Sequence, residues 1–144
     1  MPSQSKNRVF IILNPEAGGG AARRLWPQLD RELKKILGPF DFEETNAIGH
    51  GRLLACDAAR AGYSLIVACG GDGTIHEVAN GLYAARETDA TSIRQHLGII
   101  SVGTGGDFIK TLGYPHSWKD QILLLRSQKT RKIDLGHIEY SSHD

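Results

Sequence analysis

The sequence predicts an α/β fold: a doubly wound, mostly parallel sheet with helices on both faces. Short apolar runs alternate with helical patterns along the chain, which indicates successive βαβ units. The first apolar run, 9–13, is β-branched, aromatic and unbroken, as expected of a strand buried on both faces. Nine of the 17 glycines fall in three clusters, each soon after an apolar run. This pattern is typical of a strand, a tight loop and a helix in succession.

Bulk properties favour a single domain spanning residues 1–144 and exclude several protein classes. The chain has 144 residues, of which 40% are hydrophobic, enough for one core. A net charge of +1 argues against a nucleic-acid partner. No apolar run approaches the roughly 20 residues of a membrane span. Residues 1–8 have no long apolar core, so we expect no secretory leader. Cys56 and Cys69 form no CxxC motif, so we expect free thiols in a reducing cytoplasm.

Each element follows from local pattern. After the first strand, leucines at i+4 spacing predict a helix that starts or kinks near Pro27 and ends at Gly38. Thr74 is predicted to cap a helix that runs to about Arg86. The remaining predicted strands are 40–45, 64–69, 97–102 and 131–135, and the remaining helices are 52–61, 107–112 and 118–127.

The strongest candidate site is the loop Gly70-Gly71-Asp72-Gly73-Thr74. Glycines let the backbone approach a ligand closely, and free N–H groups at a helix N-terminus form an anion site. A carboxylate in such a loop repels phosphate, so Asp72 is explained if it holds Mg²⁺. The alternative is a tight turn with a capping aspartate.

Two further glycine clusters repeat this logic less strongly. Residues 103–107, with Gly103, Thr104, Gly105 and Asp107, follow a strand, and Asp107 is either a second metal or substrate carboxylate or a helix N-cap. Residues 14–20 follow the first strand. They either contact a phosphate or ribose or form a flexible connection. Taken alone, this cluster favours the flexible connection.

Other motifs are absent or weak. The sequence has no GxxxxGK[ST], no GxGxxG after the first strand, no HExxH and no GxSxG. His50, His76 and His137 lack metal-ligand spacing. The basic run 129–132 is interpreted as a solvated edge, with an anionic membrane contact as the alternative.

Residues 70–82 resemble the signature of the diacylglycerol kinase catalytic domain family, whose GGDGT loop is shared with NAD kinases. Further blocks agree in order. Residues 14–19 resemble the family's NPxxG block, Thr45 with Gly49-His50 its Thr…His segment, 102–108 its GTGNDF block, and 133–136 its DLG. The resemblance spans nearly the whole chain.

The resemblance implies transfer of the γ-phosphoryl group of ATP to a lipid hydroxyl, with a diacylglycerol-like acceptor and Mg²⁺. It implies catalytic roles for Asp72, Asp107 and Asp134, clustered near the phosphates, with Asp72 and Asp107 at the metal. It implies nucleotide contacts by Asn14, Thr45, Gly70, Gly71, Gly73, Thr74, Gly103, Thr104 and Gly105.

Two departures from the family qualify these expectations. Gly106 stands where the family usually has Asn, and Ser101 where it often has Pro. Enzymes of the family resemble two-domain proteins. We therefore expect this chain to end at the crossover to a β-rich second domain that is missing here. That domain is expected to supply the lipid site and the general base. The chain alone is then expected to bind nucleotide weakly and to transfer phosphate poorly.

Partners and rival functions follow from the same reasoning. A lipid acceptor implies peripheral contact with the inner membrane face, and the edge where a second domain would pack predicts self-association. Three alternatives stay open. They are an NAD kinase-like soluble kinase, a truncated non-catalytic nucleotide-binding module, and a structural domain without a ligand.

Overall fold

Four strands form one all-parallel sheet in a computed structural model of the chain, which describes residues 8–88, 94–103 and 105–139. The strands are β1 (Val9–Leu13), β2 (Asp41–Glu44), β3 (Leu65–Gly70) and β4 (His96–Ser101), in the order β2-β1-β3-β4. Every pair of neighbouring strands is parallel, as the alternation of strands and helices predicts. The predicted α/β fold class is confirmed.

Five helices cover both faces of the sheet. They are α1 (Ala17–Leu37), α2 (His50–Arg60), α3 (Asp72–Thr88), α4 (Asp107–Thr111) and α5 (Trp118–Ser127). One core cluster joins α1 and α5 to the sheet, and the other joins α2, α3 and α4 to its opposite face. Within the described ranges, none of these helices is both long and apolar enough to cross a bilayer.

The central strands are buried on both faces, which explains their unbroken apolar sequence. Ile12 and Ile66 belong to the cluster under α2 and α3, whereas Ile11 and Val67 belong to the cluster under α1 and α5. All four side chains are fully buried. Alternate residues of one strand therefore supply two separate cores.

The predicted helix start near Pro27 is wrong, because α1 begins at Ala17 and runs through this residue, and the alternative of a kink there stays a prediction. The non-helical backbone lies earlier, where Gly18, Gly19 and Gly20 have φ values of +66°, +65° and +90°. Pro27 lies on the exposed side of α1, where water can serve the carbonyl that the ring leaves without a partner. Buried Ala22 and Leu29 on either side of Pro27 hold the helix against the sheet.

The predicted N-cap role of Thr74 is also wrong. Helix α3 begins two residues earlier, at Asp72. Thr74 lies inside the first turn and is only 5% exposed. Its hydroxyl oxygen accepts a hydrogen bond from the Asn14 side chain, and the glycines before it allow the helix to start sooner.

The predicted strand 131–135 is not formed, and residues 129–139 have no regular secondary structure. In the part of the chain that the structure describes, no strand pairs with this segment. Its side chains are exposed, and two contacts fix it to the domain. Arg131 donates to the Leu112 carbonyl oxygen at 3.2 Å, and the His137 ring lies 5.1 Å from that of Tyr83.

Candidate functional site

A cleft of about 1030 Å³ opens at the carboxyl ends of the strands. The chain passes from β1 to β2 on one side and then returns to place β3 on the other side of β1. Loops that leave in opposite directions at such a switch point form a crevice, which is where α/β sheets bind ligands. The cleft therefore lies where the fold itself predicts a site.

Backbone hydrogen bonds continue the sheet by one residue into the cleft loops. The amide of Asn14 donates to the Cys69 carbonyl at 2.9 Å, and that of Thr45 donates to the Leu13 carbonyl at 2.8 Å. The amide of Val102 donates to the Gly70 carbonyl at 2.9 Å. The first residue of each of these loops is thus held in the register of the sheet.

Six of the predicted site residues line the cleft together. They are Asn14, Thr45, Gly71, Gly73, Thr74 and Gly103. Each of the three glycine clusters contributes to this lining. The cluster after the first strand, for which the sequence alone favours a flexible connection, also lines the cleft.

Gly70 lies beneath the cleft at a point of close approach. A Cβ built on Gly70 would lie 2.4 Å from the Thr74 hydroxyl oxygen and 3.2 Å from the Asn14 Cβ. The Asn14 side-chain amide donates to that hydroxyl oxygen at 3.2 Å. Only glycine at this position lets the loops after β1 and β3 share this bond.

The loops after β1 and β4 touch through two glycines. A Cβ built on Gly18 would lie 2.9 Å from the Gly103 Cα. Both residues have positive φ, +66° for Gly18 and +131° for Gly103. Glycine is required here for its conformation and also for its lack of a side chain.

The N-terminus of α3 borders the cleft. The Gly71 carbonyl accepts from the Ile75 amide at 3.1 Å, so the helical ladder starts at Gly71. The amides before Ile75 have no partner within the helix, and Gly71, Gly73 and Thr74 all line the cleft. Together with the positive end of the helix dipole, they offer hydrogen-bond donors to an anion.

Asp72 and Asp107 lie side by side, next to the cleft-lining residues. The Asp72 Oδ2 atom accepts from the Asp107 amide at 3.2 Å, and both residues are exposed. Asp134 lies in the irregular segment after α5 and is also exposed. Across residues 8–88, 94–103 and 105–139, no three His, Cys, Asp or Glu side chains are grouped to hold a metal ion.

Two other predicted site residues, Thr104 and Gly105, belong to the segment after β4 and are not among the cleft-lining residues of the described chain. Gly105 is exposed with φ +101°, and Thr104 lies outside the described residues. Gly106 adopts the left-handed helical region, with φ 58° and ψ 40°. Asn is the non-glycine residue that this conformation tolerates best.

Sequence reasoning missed the charged residues that line the cleft. They are Glu16, Arg23, Glu44 and Glu77. Glu16 is paired with Arg23. Both Glu77 oxygens accept backbone bonds from the start of α2, with Oε1 2.7 Å from the Gly49 amide nitrogen and Oε2 2.9 Å from that of Gly51. Spacing along the chain could not reveal this capping, because Glu77 belongs to a different helix.

The sequence model of the diacylglycerol kinase catalytic domain matches residues 8–138 of the chain. The chain belongs to this family. Among curated relatives, a diacylglycerol kinase of Staphylococcus epidermidis is 33% identical over 131 residues, covering 91% of this chain and 40% of the relative. A diacylglycerol kinase of Staphylococcus aureus is 31% identical over the same shares.

Solved structures agree with this assignment. The crystal structure of a putative diacylglycerol kinase from Bacillus anthracis matches with a TM-score of 0.71 and 29% identity, covering 85% of this chain and 43% of that one. The chain spans about two fifths of the length of the relatives it matches. The predicted family resemblance is confirmed.

The second half of this diacylglycerol kinase signature joins α2 to α3. A Cβ built on Gly81 would lie 2.3 Å from the Arg52 carbonyl oxygen, and one built on Gly51 would lie 2.6 Å from a Glu77 oxygen. Asn80 donates to the His76 carbonyl at 2.8 Å within α3. Gly51 and Gly81 therefore set how closely α2 and α3 approach, and hence where the loop after β2 enters the cleft.

Cys69 lies at the end of β3 below the cleft and is fully buried. Burial raises the pKa of its thiol from 9.0 to about 12. A thiol with so high a pKa is protonated at neutral pH and is a poor nucleophile or metal ligand. Both cysteines are free, as predicted, and Cys56 is half-buried.

Proposed function

We propose that this chain binds ATP, with Mg²⁺, in the cleft and forms the nucleotide side of a lipid kinase. One observation carries the proposal: three glycine loops and the N-terminus of α3 meet in a single cleft at the switch point of the sheet. Such an arrangement suits a polyphosphate. Membership of the diacylglycerol kinase catalytic domain family supports ATP as the molecule that carries this polyphosphate.

Backbone groups are proposed to hold the phosphates. The amides at Gly71 and Gly73 belong to the start of α3. The loops that contain Gly18 and Gly103 line the same cleft. Asn14 and Thr45 supply polar side chains between β1 and β2. Phosphoryl transfer depends mainly on such positioning and on charge neutralisation.

The donor set fits Mg²⁺, which prefers carboxylate oxygens and retained water. Asp72 and Asp107 start neighbouring helices, and the Asp72 Oδ2 bond to the Asp107 amide fixes one carboxylate. The glutamates of the cleft add negative charge, so a cation would be needed to bring ATP close. Bound Mg²⁺ would neutralise charge on the β- and γ-phosphates during transfer.

The proposed reaction transfers a phosphoryl group to a lipid hydroxyl. The hydroxyl oxygen bonds to the γ-phosphorus as the bond from that phosphorus to the β–γ bridging oxygen breaks. ADP leaves, and the hydroxyl proton passes to a base. We assign that base to no residue of this chain. Diacylglycerol is the proposed acceptor because the matched relatives carry the name diacylglycerol kinase.

The activity of the isolated chain is proposed to be low. It spans about 40% of the curated relatives, and the expected second domain would supply the acceptor site and base. ADP release should therefore stay at background when the chain is given ATP, Mg²⁺ and dispersed diacylglycerol. Turnover on diacylglycerol would overturn this part of the proposal, and phosphorylation of NAD instead would favour the soluble-kinase alternative.

Titration calorimetry tests the nucleotide site directly. ATP should bind in the presence of Mg²⁺, more weakly in its absence, and adenosine should bind far more weakly because it lacks phosphates. Equal binding of adenosine would contradict a phosphate site. If ATP does not bind, the Gly106→Asn variant, whose backbone already suits asparagine, separates a defect of this loop from a site that the proposed second domain would complete.

A further inference from the structure

Gln121 is a polar side chain on α5 with no exposed surface, and the nucleotide site described above does not include it. A buried amide is costly unless its hydrogen bonds are made, so such a residue is expected to have defined partners. We propose that Gln121 is a positioning residue that holds the glycine loop after β4 at the cleft. Only the expected effect on nucleotide affinity rests on the proposed function.

The Gln121 amide bonds the backbone on both sides of this loop. Its Oε1 atom accepts from the Ser101 amide at 2.9 Å, and its Nε2 atom donates to the Pro115 carbonyl at 2.8 Å. Ser101 is the last residue of β4, and Pro115 lies just before α5. The chain between them contains α4 and the glycine loop. One side chain therefore joins the start of this segment to its end.

The position of β4 in the sheet explains why a side chain makes this contact. β4 is the last strand in the order β2-β1-β3-β4. The Val102 amide faces β3 and donates to the Gly70 carbonyl at 2.9 Å, whereas the Ser101 amide bonds Gln121. Among the described residues, no strand pairs with β4 on its other side. Without Gln121, the Ser101 amide would lose its partner.

A second side chain fastens the same segment to β4. The Tyr114 hydroxyl donates to the Ile99 carbonyl at 2.8 Å. Tyr114 directly precedes Pro115, and Ile99 lies two residues before Ser101. The end of the segment is therefore attached to β4 at two points. A loop anchored in this way loses less conformational freedom when a ligand binds.

The residue that Gln121 fixes leads directly into the cleft. Val102 and Gly103 follow Ser101, and both line the cleft. Gly103 also lies against Gly18, where there is no room for a side chain. A displacement of the Ser101 backbone would therefore disturb the contact between the loops after β1 and β4. Gln121 would act on the nucleotide only through this backbone.

The serine at position 101 makes the contact possible. The family that the sequence resembles often has Pro here, and proline has no amide hydrogen to donate. With proline at this position, the Gln121 oxygen would lose the donor that it has in this chain. Ser101 and Gln121 are therefore expected to act as a pair.

Amide hydrogen exchange of the 144-residue chain tests the positioning role without nucleotide. Gln121→Met keeps the approximate size of the side chain and removes both hydrogen bonds. The Val102 amide should then exchange about tenfold faster, because two lost bonds weaken the structure locally. The amides of Asn14 and Thr45 attach the other two loops to the sheet in the same way, and their exchange should change less.

Two further variants make the comparison specific. Gln95→Met is the matched control, because Gln95 bonds the Ala59 carbonyl at 3.4 Å just before the other end of β4. It should leave Val102 exchange unchanged. In a Ser101→Pro background, Gln121→Met should have a smaller effect on Val102 exchange than in the wild type, because one of its two bonds is already absent.

Titration calorimetry then relates the contact to the cleft. At a temperature where the variant is folded, Gln121→Met should lower MgATP affinity by about threefold to tenfold, because only chains with the loop in place bind fully. Gln95→Met should bind as the wild type does. If the wild-type chain binds no MgATP, the proposed function fails, and the exchange comparison still decides the positioning role.

Three results would overturn the proposal. The first is unchanged Val102 exchange in Gln121→Met. The second is an equal acceleration at Val102, Asn14 and Thr45, because Gln121 would then contribute only to overall stability. The third is an unchanged MgATP affinity in folded Gln121→Met when the wild type binds MgATP. If Gln121→Met does not fold, Ser101→Pro alone, which removes one of the bonds, is compared with the wild type by the same measurements.

Discussion

The Asp107 amide donates a hydrogen bond to the Asp72 carboxylate at 3.2 Å, which ties the first residue of α4 to the first residue of α3. The two residues are 35 positions apart in sequence. This bond gives Asp72 a structural role in addition to the proposed role at Mg²⁺. The two roles can be separated by substitution.

Asp72→Asn should abolish the Mg²⁺-dependent part of ATP affinity while leaving the fold intact. The asparagine oxygen can still accept the Asp107 amide, but it carries no charge. Asp72→Ala removes both the acceptor and the charge, so it should also lower the unfolding midpoint. Calorimetric titration and urea unfolding of both variants measure the two effects. An Asp72→Asn variant that keeps the Mg²⁺ dependence would contradict the metal role.

Gly18→Ala should destabilise the chain more than Gly19→Ala. Both positions have φ near +65°, so alanine strains the backbone equally, by about 1–2 kcal/mol. Only at Gly18 would the new Cβ meet another loop, at 2.9 Å from the Gly103 Cα, whereas nothing lies within 4 Å of it at Gly19. Urea unfolding gives both free energies. Equal losses would show that the loops separate without cost.

Glu77→Ala should lower the free energy of unfolding by about 1–3 kcal/mol, the cost of leaving a buried donor without a partner. Its carboxylate bonds the amides of Gly49 and Gly51, which start α2. Glu87→Ala, at an exposed position of α3, is the control and should change stability little. The outcome that would count against the capping role is an equal effect of the two substitutions.

The stability of the chain should fall as the pH rises from about 9 towards 12. The unfolded Cys69 thiol loses its proton above 9.0, whereas burial keeps it protonated in the folded chain up to about 12. Each pH unit in this window therefore favours the unfolded state by about 1.4 kcal/mol. Urea unfolding as a function of pH measures the slope.

Two cysteine variants assign that slope. Cys69→Ala should remove the contribution of the buried thiol, and Cys56→Ala should retain it because Cys69 is still present. In native protein a thiol reagent should label Cys56, which is half-buried, well before Cys69. Rapid labelling of Cys69 would show that the floor of the cleft opens readily.

The fold could be predicted from the sequence because its signals are local. Apolar runs such as 9–13 and glycine loops such as 70–73 mark strands and strand-to-helix turns within a few residues. The errors arose where distant residues decide the outcome. Thr74 does not cap α3 because the helix begins at Asp72, and 131–135 pairs with none of the four strands.

The candidate site was predictable in part for the same reason. Gly71 and Gly103 follow strands whose carboxyl ends must meet at one edge of a parallel sheet. The bond from Glu77 to the start of α2 depends on how α2 and α3 pack, which sequence spacing does not encode. Asp134 was assigned from resemblance alone, and its grouping with the other two aspartates stays a prediction.

The central claim is that the glycine loops surround the phosphates of a nucleotide, and amide NMR of the chain during titration with MgADP tests it most directly. The largest shift changes should fall on the cleft glycines Gly18, Gly71, Gly73 and Gly103. Gly38, Gly62 and Gly113 lie outside the cleft lining and should change little. Changes centred on those control glycines, or none at saturating MgADP, would contradict the account.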